Sequence, residues 1–197
     1  MDVIFFGCRG YSVNYGGWET FLHNLIGYWK DQSFRFFSLE IVDKKDDERD
    51  EIINGVTCIR IYVKTKSHAK MIIFGIKSIK RLKAICKKYS ISDGYLYVMG
   101  ATIGLLFFLF KKKLKRMNLT TIHNPAGLEW KRDKWNCLVK KYIYYSHYFL
   151  SKNVDYLICD SNAVADFYRK WLPKKSDRIF YISYGTAEHN LDRKSVV

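Results

Sequence analysis

The 197-residue chain predicts an α/β fold: a Rossmann-like parallel sheet with helices on both faces. Three observations carry that expectation. Strand-like apolar runs alternate with helix-spaced stretches along the whole length, the pattern of a parallel sheet built from crossovers. A hydrophobic fraction of 48% with only two prolines excludes a disordered chain and long irregular linkers. Two adjacent glycines, Gly16 and Gly17, stand where the first strand hands over to the first helix. Glycine is costly there unless the backbone turns sharply or something approaches it closely. The length suits one domain with a full core.

The elements follow in order. Residues 2–6 form a short apolar run and predict the first strand; 17–29 carry helix-spaced apolar residues and predict the first helix. Strands are expected at 35–42, 56–63, 95–99, 119–123, 156–159 and 179–183, and helices at 69–89, 102–115, 136–152 and 161–171. In the second helix Ile72, Ile76, Ile79 and Cys86 share one face and lysines the other. Ser161, after Asp160, is a good cap for the last helix. Residues 43–51 mix both charge signs and predict a solvated loop. In a parallel sheet the loops after residues 6, 123, 159 and 183 all lie on one edge, so the residues of these loops that could carry chemistry converge there.

Composition narrows the partners. The formal charge is +15, and it is uneven: residues 64–88 hold nine Lys or Arg and no acid, and "KKKLKR" at 111–116 adds five. Such fields favour phosphate-bearing substrates, acidic lipid surfaces or nucleic acid. Five cysteines without close spacing predict reduced thiols, a cytoplasmic compartment and no metal site; no signal peptide is expected. The stretch "GYLYVMGATIGLLFFLF", 94–110, is free of charge for 17 residues before the lysines. That is short for a membrane span. It divides instead into a strand, a turn at Gly100 and a helix, whose apolar end either packs in the core or touches a bilayer surface.

Three motifs carry chemistry. The spacing Gly7-Cys8-Arg9-Gly10 breaks the dinucleotide fingerprint, so an oxidoreductase is disfavoured although Asp43 follows the second strand. Glycines before a helix N-terminus suit phosphate, or a sugar crowded against backbone N–H groups. In "HNPAGLEWKRDKW", Glu129, Lys131, Arg132, Asp133 and Lys134 surround Trp130 and Trp135. Carboxylates, cations and indole faces together suit a sugar or phosphosugar, or else a charged lead-in to the next helix. His123 at the strand tip is either a ligand contact or a structural donor.

The blocks "GCRGYSVNYGGWETFLHNLI", "NPAGLEWKRDKW", "VDYLICDSNAVADFY" and "IFYISYGT" resemble, in order, those of a bacterial glycosyltransferase family. The family comprises retaining GT-B enzymes related to the large family 4 transferases, among them rhamnosyltransferases of capsule and exopolysaccharide assembly. The resemblance implies that residues 1–186 are the amino-terminal, acceptor-side domain, that 187–197 begin an interdomain linker or form a tail, and that the nucleotide-sugar domain lies outside this chain. It implies transfer of a hexosyl unit, dTDP-rhamnose being the first donor to consider, to a lipid-linked saccharide at the inner face of the cell membrane.

No cofactor or metal is implied, because helix N-termini and cations of the partner domain offset the leaving pyrophosphate charge. The front-face route ascribed to such enzymes lets the leaving phosphate take the acceptor proton, so no catalytic base is assigned. Gly16 and Gly17 would approach the donor. Glu19, His123, Asn124, Gly127, Glu129, Lys131 and Tyr184 are the candidates for sugar or acceptor contacts. Two departures stand out: Ala126 replaces an acid, and Tyr11-Ser12-Val13 replaces Ile-Pro-Ala. An isolated half should turn over little, since a cleft site needs both walls. The competing readings are an inactive remnant that binds a membrane or a partner, and a basic nucleic-acid-binding module, against which no recognition signature is found.

Overall fold

The computed structural model describes residues 1–13, 16–65 and 69–183. The element order is β1 (Asp2–Phe6), α1 (Gly17–Tyr28), β2 (Arg35–Val42), β3 (Asp50–Ile53), β4 (Val56–Tyr62), α2 (Lys70–Lys88), β5 (Gly94–Met99), α3 (Gly104–Lys115), β6 (Leu119–Asn124), α4 (Cys137–Asn153), β7 (Tyr156–Cys159), α5 (Asn162–Trp171) and β8 (Ile179–Tyr181). Short 3-10 turns fall at Lys45–Asp47, Glu129–Lys131 and Pro173–Arg178. The strands form one sheet in the order β3-β4-β2-β1-β5-β6-β7-β8. Every neighbouring pair is parallel except β3 with β4.

The expected strands and helices form, with ends displaced by a residue or two. The stretch expected as a solvated loop is the correction. Its last two residues, Asp50 and Glu51, enter β3, which turns back onto β4 through Asn54 and Gly55, both at positive φ (48° and 80°). Asn-Gly adopts the left-handed pair that a tight hairpin needs. The edge of the parallel sheet is thus an antiparallel hairpin.

Strand alternation sends side chains to two unequal layers. On one face Phe5, Tyr97 and Met99 pack under α1 through Leu22, with Phe21 and Leu25 beside it. On the other, Ile4, Phe6, Leu96 and Val98 meet α2, α3, α4 and α5 through Phe74, Phe107, Leu150 and Tyr168. The α2 stripe is rotated from its expected position. Phe74, Ile79, Leu82 and Cys86 are in the core, while Ile72 and Ile76 are half-buried at its margin. Asn136 caps α4 by accepting from the Val139 amide, and Ser161 caps α5 by accepting from that of Val164. No helix among the described residues is long and apolar enough to cross a membrane.

Candidate functional site at the carboxyl edge of the sheet

β1 is where the chain changes direction across the sheet: β2 and β4 lie on one side, β5 to β8 on the other. Open α/β sheets bind ligands outside the strand carboxyl ends at such a point. Here Gly7 and Gly100 flank a narrow crevice also lined by Met71, Met99, Thr102 and Ile103. Gly7 has φ +104°, and a Cβ on it would lie 2.1 Å from the Met99 carbonyl oxygen. A side chain there would force β1 and β5 apart.

The loop that leaves β1 is fastened from below. Ser38 accepts from the Tyr11 amide at 2.9 Å, and Glu40 accepts from the Ser12 amide at 2.8 Å and from the Ser12 hydroxyl. Arg60, the register partner of Glu40 on β4, approaches its carboxylate at 3.7 Å. Glu19, in the first turn of α1, is buried and accepts from the Arg9 amide at 3.0 Å. The sequence predicts a sugar contact for Glu19; the buried carboxylate instead turns inward and shapes the loop. Burial, with Glu19 and Glu40 nearby, pushes the Cys8 thiol up to about 12, so Cys8 is no nucleophile at neutral pH.

Gly16 and Gly17 behave differently from Gly7. Gly16 is the N-cap of α1 with extended backbone (φ −166°), which any residue adopts, and it gives no side-chain cap. Among the described residues, a Cβ on Gly16 would lie 3.4 Å from Glu19 Oε2, and one on Gly17 would meet nothing within 4 Å. Among the described residues neither a positive φ nor a contact with backbone accounts for these two glycines. Trp18 and Phe21 of that helix lead across the edge to Tyr97, with ring centroids 6.4 Å and 6.1 Å apart in turn. The Tyr97 hydroxyl in turn accepts from Asn124 Nδ2 at 3.0 Å. Gly17 and Asn124 therefore share one edge and one face.

Asn124 is buried, and its Oδ1 accepts from the Ala126 amide at 3.2 Å, so it holds the following loop. Ala126 and Gly127 both have positive φ, 49° and 91°. His123 takes the other direction. It is fully buried, its Nδ1 lies 3.2 Å from the Val98 carbonyl oxygen, and its ring stands 5.7 Å from that of His147. That burial removes the imidazole from any direct ligand contact in this arrangement. Burial first, and then His147, drive the His123 pKa well below the usual range, so the ring is neutral. His147 donates to or accepts from the Tyr168 hydroxyl at 2.9 Å and lies 5.0 Å from Trp130.

Glu129 and Lys131 sit on the short turn ahead of α4. Glu129 is held by Lys134 at 2.8 Å and by Trp135 Nε1 and Arg132 at 3.1 Å. Partial burial pushes its carboxyl up, but these three donors outweigh it and hold it below the usual carboxylate range. Lys131 is exposed, with its ammonium 5.7 Å from the Phe167 ring centre. Trp135, Lys140, Lys141 and Tyr145 rim an open groove between this turn and α4. Tyr184 lies outside the described residues.

Sequence reasoning missed Ser38, Glu40, Tyr97 and His147. A readable signal existed for one: Glu40 interrupts the apolar run of β2, and Arg60 does the same in β4. Opposite charges at matched positions in two buried strands imply a pair.

A comparison with curated proteins gives no match. A family profile matches residues 1–187, which covers every described residue and all of the edge just described. By that match the chain belongs to the family described as Domain of unknown function (DUF1972).

Proposed function

We propose that this domain is the acceptor-side wall of a retaining GT-B glycosyltransferase, related to the family 4 enzymes and transferring a hexosyl unit, with rhamnose from dTDP-rhamnose the first candidate. The acceptor would be a lipid-linked saccharide of polysaccharide assembly. One observation carries the reading. Among the described residues no atom lies within 4 Å of a Cβ placed on Gly17, and no side chain caps the first turn of α1, at the edge where open α/β sheets take ligands. The N–H groups of a helix's first turn have no partner within the helix, and suit the phosphates of a sugar nucleotide. The groove rimmed by Trp135, Tyr145, Lys140 and Lys141 offers apolar ring faces beside cations, a combination that suits a phosphorylated saccharide. Glu19, Glu40 and Asn124 act as positioning residues in this reading, and half-buried Gly127 with exposed Lys131 form its rim.

The test uses membranes from cells with and without the gene, supplied with radiolabelled dTDP-rhamnose and other labelled nucleotide sugars. Label entering the lipid-soluble fraction should vanish without the gene. It should return with the wild-type copy but not with Gly17→Leu, whose side chain would occupy the open space. Incorporation that is unchanged by deletion for every sugar tried sinks the reading. This domain alone, mixed with donor and acceptor, should turn over slowly at most, since one wall positions neither substrate against the other.

A further inference from the structure

Three neighbouring helices on the thicker side of the sheet carry an unusual outer surface. Together α2, α3 and α4 hold fourteen Lys and Arg and no Asp or Glu. Ion pairs from elsewhere reach Lys70, Arg81, Lys88 and Lys140, and leave Lys80, Lys83, Lys112, Lys115 and Lys141 outside those pairs. Among these cations stand exposed apolar side chains: Ile73 on α2, Phe108 and Leu109 on α3, and Leu138 and Tyr145 on α4.

The arrangement is not left over from core packing. α3 buries Phe107 and Leu114, and at 100° per residue Phe108 and Leu109 point to the opposite side, in line with Lys112 and Arg116. They are 51% and 60% exposed, and Leu138 is 78% exposed. The three helices also form one continuous surface. Lys113 donates to the carbonyls of Ile79 and Lys80 on α2, each at 3.1 Å. On the other side α3 crosses α4 so closely that a Cβ on Gly104 would lie 1.8 Å from the Ser146 carbonyl oxygen. Because α3 and α4 follow parallel strands, their first halves lie at the carboxyl edge of the sheet. The apolar group therefore sits beside the candidate site, and the lysines of α3 extend away from it.

We infer that this surface seats the protein on an anionic lipid bilayer, with Phe108 and Leu109 entering the boundary of the acyl chains and the lysines meeting the head groups. Apolar anchors ringed by lysine are what an interfacial surface requires. A protein partner fits less well, because lysine is depleted from the centres of protein interfaces. The inference goes beyond the transferase reading and stands without it, since vesicle binding needs neither donor nor acceptor.

The full chain is sedimented with vesicles of phosphatidylcholine alone, or with about one third phosphatidylglycerol. Binding is expected only to the anionic vesicles and should weaken as salt rises. The double variants Phe108→Ser with Leu109→Ser, and Lys112→Glu with Lys115→Glu, should each reduce binding about tenfold while their circular dichroism and melting stay those of the wild type. Cys137, exposed while the other four cysteines are buried, allows a check on the wild-type sequence. A polarity-sensitive dye there, next to Leu138, should shift to the blue on anionic vesicles. Equal binding to neutral vesicles overturns the inference, as does wild-type affinity in the serine variant. So does binding to a short RNA but not to vesicles, or a dimer in sedimentation velocity that the serine variant abolishes.

Discussion

Asn124 donates from Nδ2 to the Tyr97 hydroxyl at 3.0 Å, and with its Oδ1 it holds the amide of Ala126. One buried amide thus ties the ends of β5 and β6 to the loop that follows. Removing the Oδ1 acceptor frees the Ala126 amide, and truncating a buried polar group typically costs about 1–3 kcal/mol. Asn124→Ala should lower the urea midpoint accordingly and speed hydrogen exchange at Ala126. Tyr97→Phe keeps the ring stacked near Phe21 and removes only the hydroxyl, so its effect should be the smaller. An Ala126 amide that exchanges no faster in Asn124→Ala would show that the loop is held by something else.

Ala126 sits at φ 49°, in the left-handed region where a Cβ crowds the following carbonyl. Alanine pays about 1–2 kcal/mol for that conformation, and glycine does not. Part of the relief is offset by the greater freedom of glycine in the unfolded chain, so Ala126→Gly should stabilise by about 1 kcal/mol. Ala126→Val should destabilise, because a β-branched residue tolerates positive φ least. Ala126→Asp places the acid of the resembled family at an exposed position whose backbone conformation suits Asp better than Ala. It should fold at least as stably as the wild type. Differential scanning calorimetry of the three variants orders them, and a destabilised glycine variant would refute the strain.

Most of the architecture was legible because local period and global fold agree. The buried strands are short apolar runs, the helices begin at residues such as Asn136 and Ser161 that cap them, and alternation of the two predicts the parallel sheet. What failed depended on distant partners. The acids of 43–51 read as solvated, yet Glu48 accepts from the Tyr62 amide and pairs with Arg81, while Asp50 pairs with Lys88. Those lysines and arginines lie more than thirty residues away and complete an edge hairpin that local composition hides. The Asn54-Gly55 turn was the signal that outweighed the charges. At the site, period two placed His123 and Asn124 on opposite faces, but not which face the thicker helical layer covers. His123 is buried against His147 for that reason, and Asn124 is turned toward Tyr97.

Gly17 separates fold from function. Among the described residues no atom lies within 4 Å of a Cβ built there, so Gly17→Ala and Gly17→Leu should melt within a degree or two of the wild type or slightly above it. In the transferase reading the leucine fills the space a nucleotide sugar needs. Trp18 neighbours the position and serves as reporter: dTDP-rhamnose should quench its fluorescence in the wild type and not in Gly17→Leu. NADH, taken as the oxidoreductase probe, should leave both unchanged. Equal quenching by dTDP-rhamnose in the two proteins would remove Gly17 from the donor path.

The paired imidazoles set the response to acid. Burial lowers the His147 pKa to about 3, and burial with His147 nearby lowers that of His123 well below 6.5. Both rings are neutral in the folded protein and take up protons near pH 6.5 only once unfolded. The unfolded state therefore binds more protons between about pH 6.5 and 3, and stability rises with pH across that window. It is fully present above pH 6.5 and is lost on acidification, at about 1.4 kcal/mol per pH unit for each ring. From pH 7 to 5 the two together should remove about 3–4 kcal/mol, before carboxylates such as Glu48 and Glu129, held below their usual range, begin to contribute. Urea midpoints at pH 7, 6 and 5 measure the slope. His147→Gln removes one titrating ring and should roughly halve it, with the amide still able to bond the Tyr168 hydroxyl. A slope unchanged in that variant would mean that His147 is already charged in the folded protein, or exposed to water.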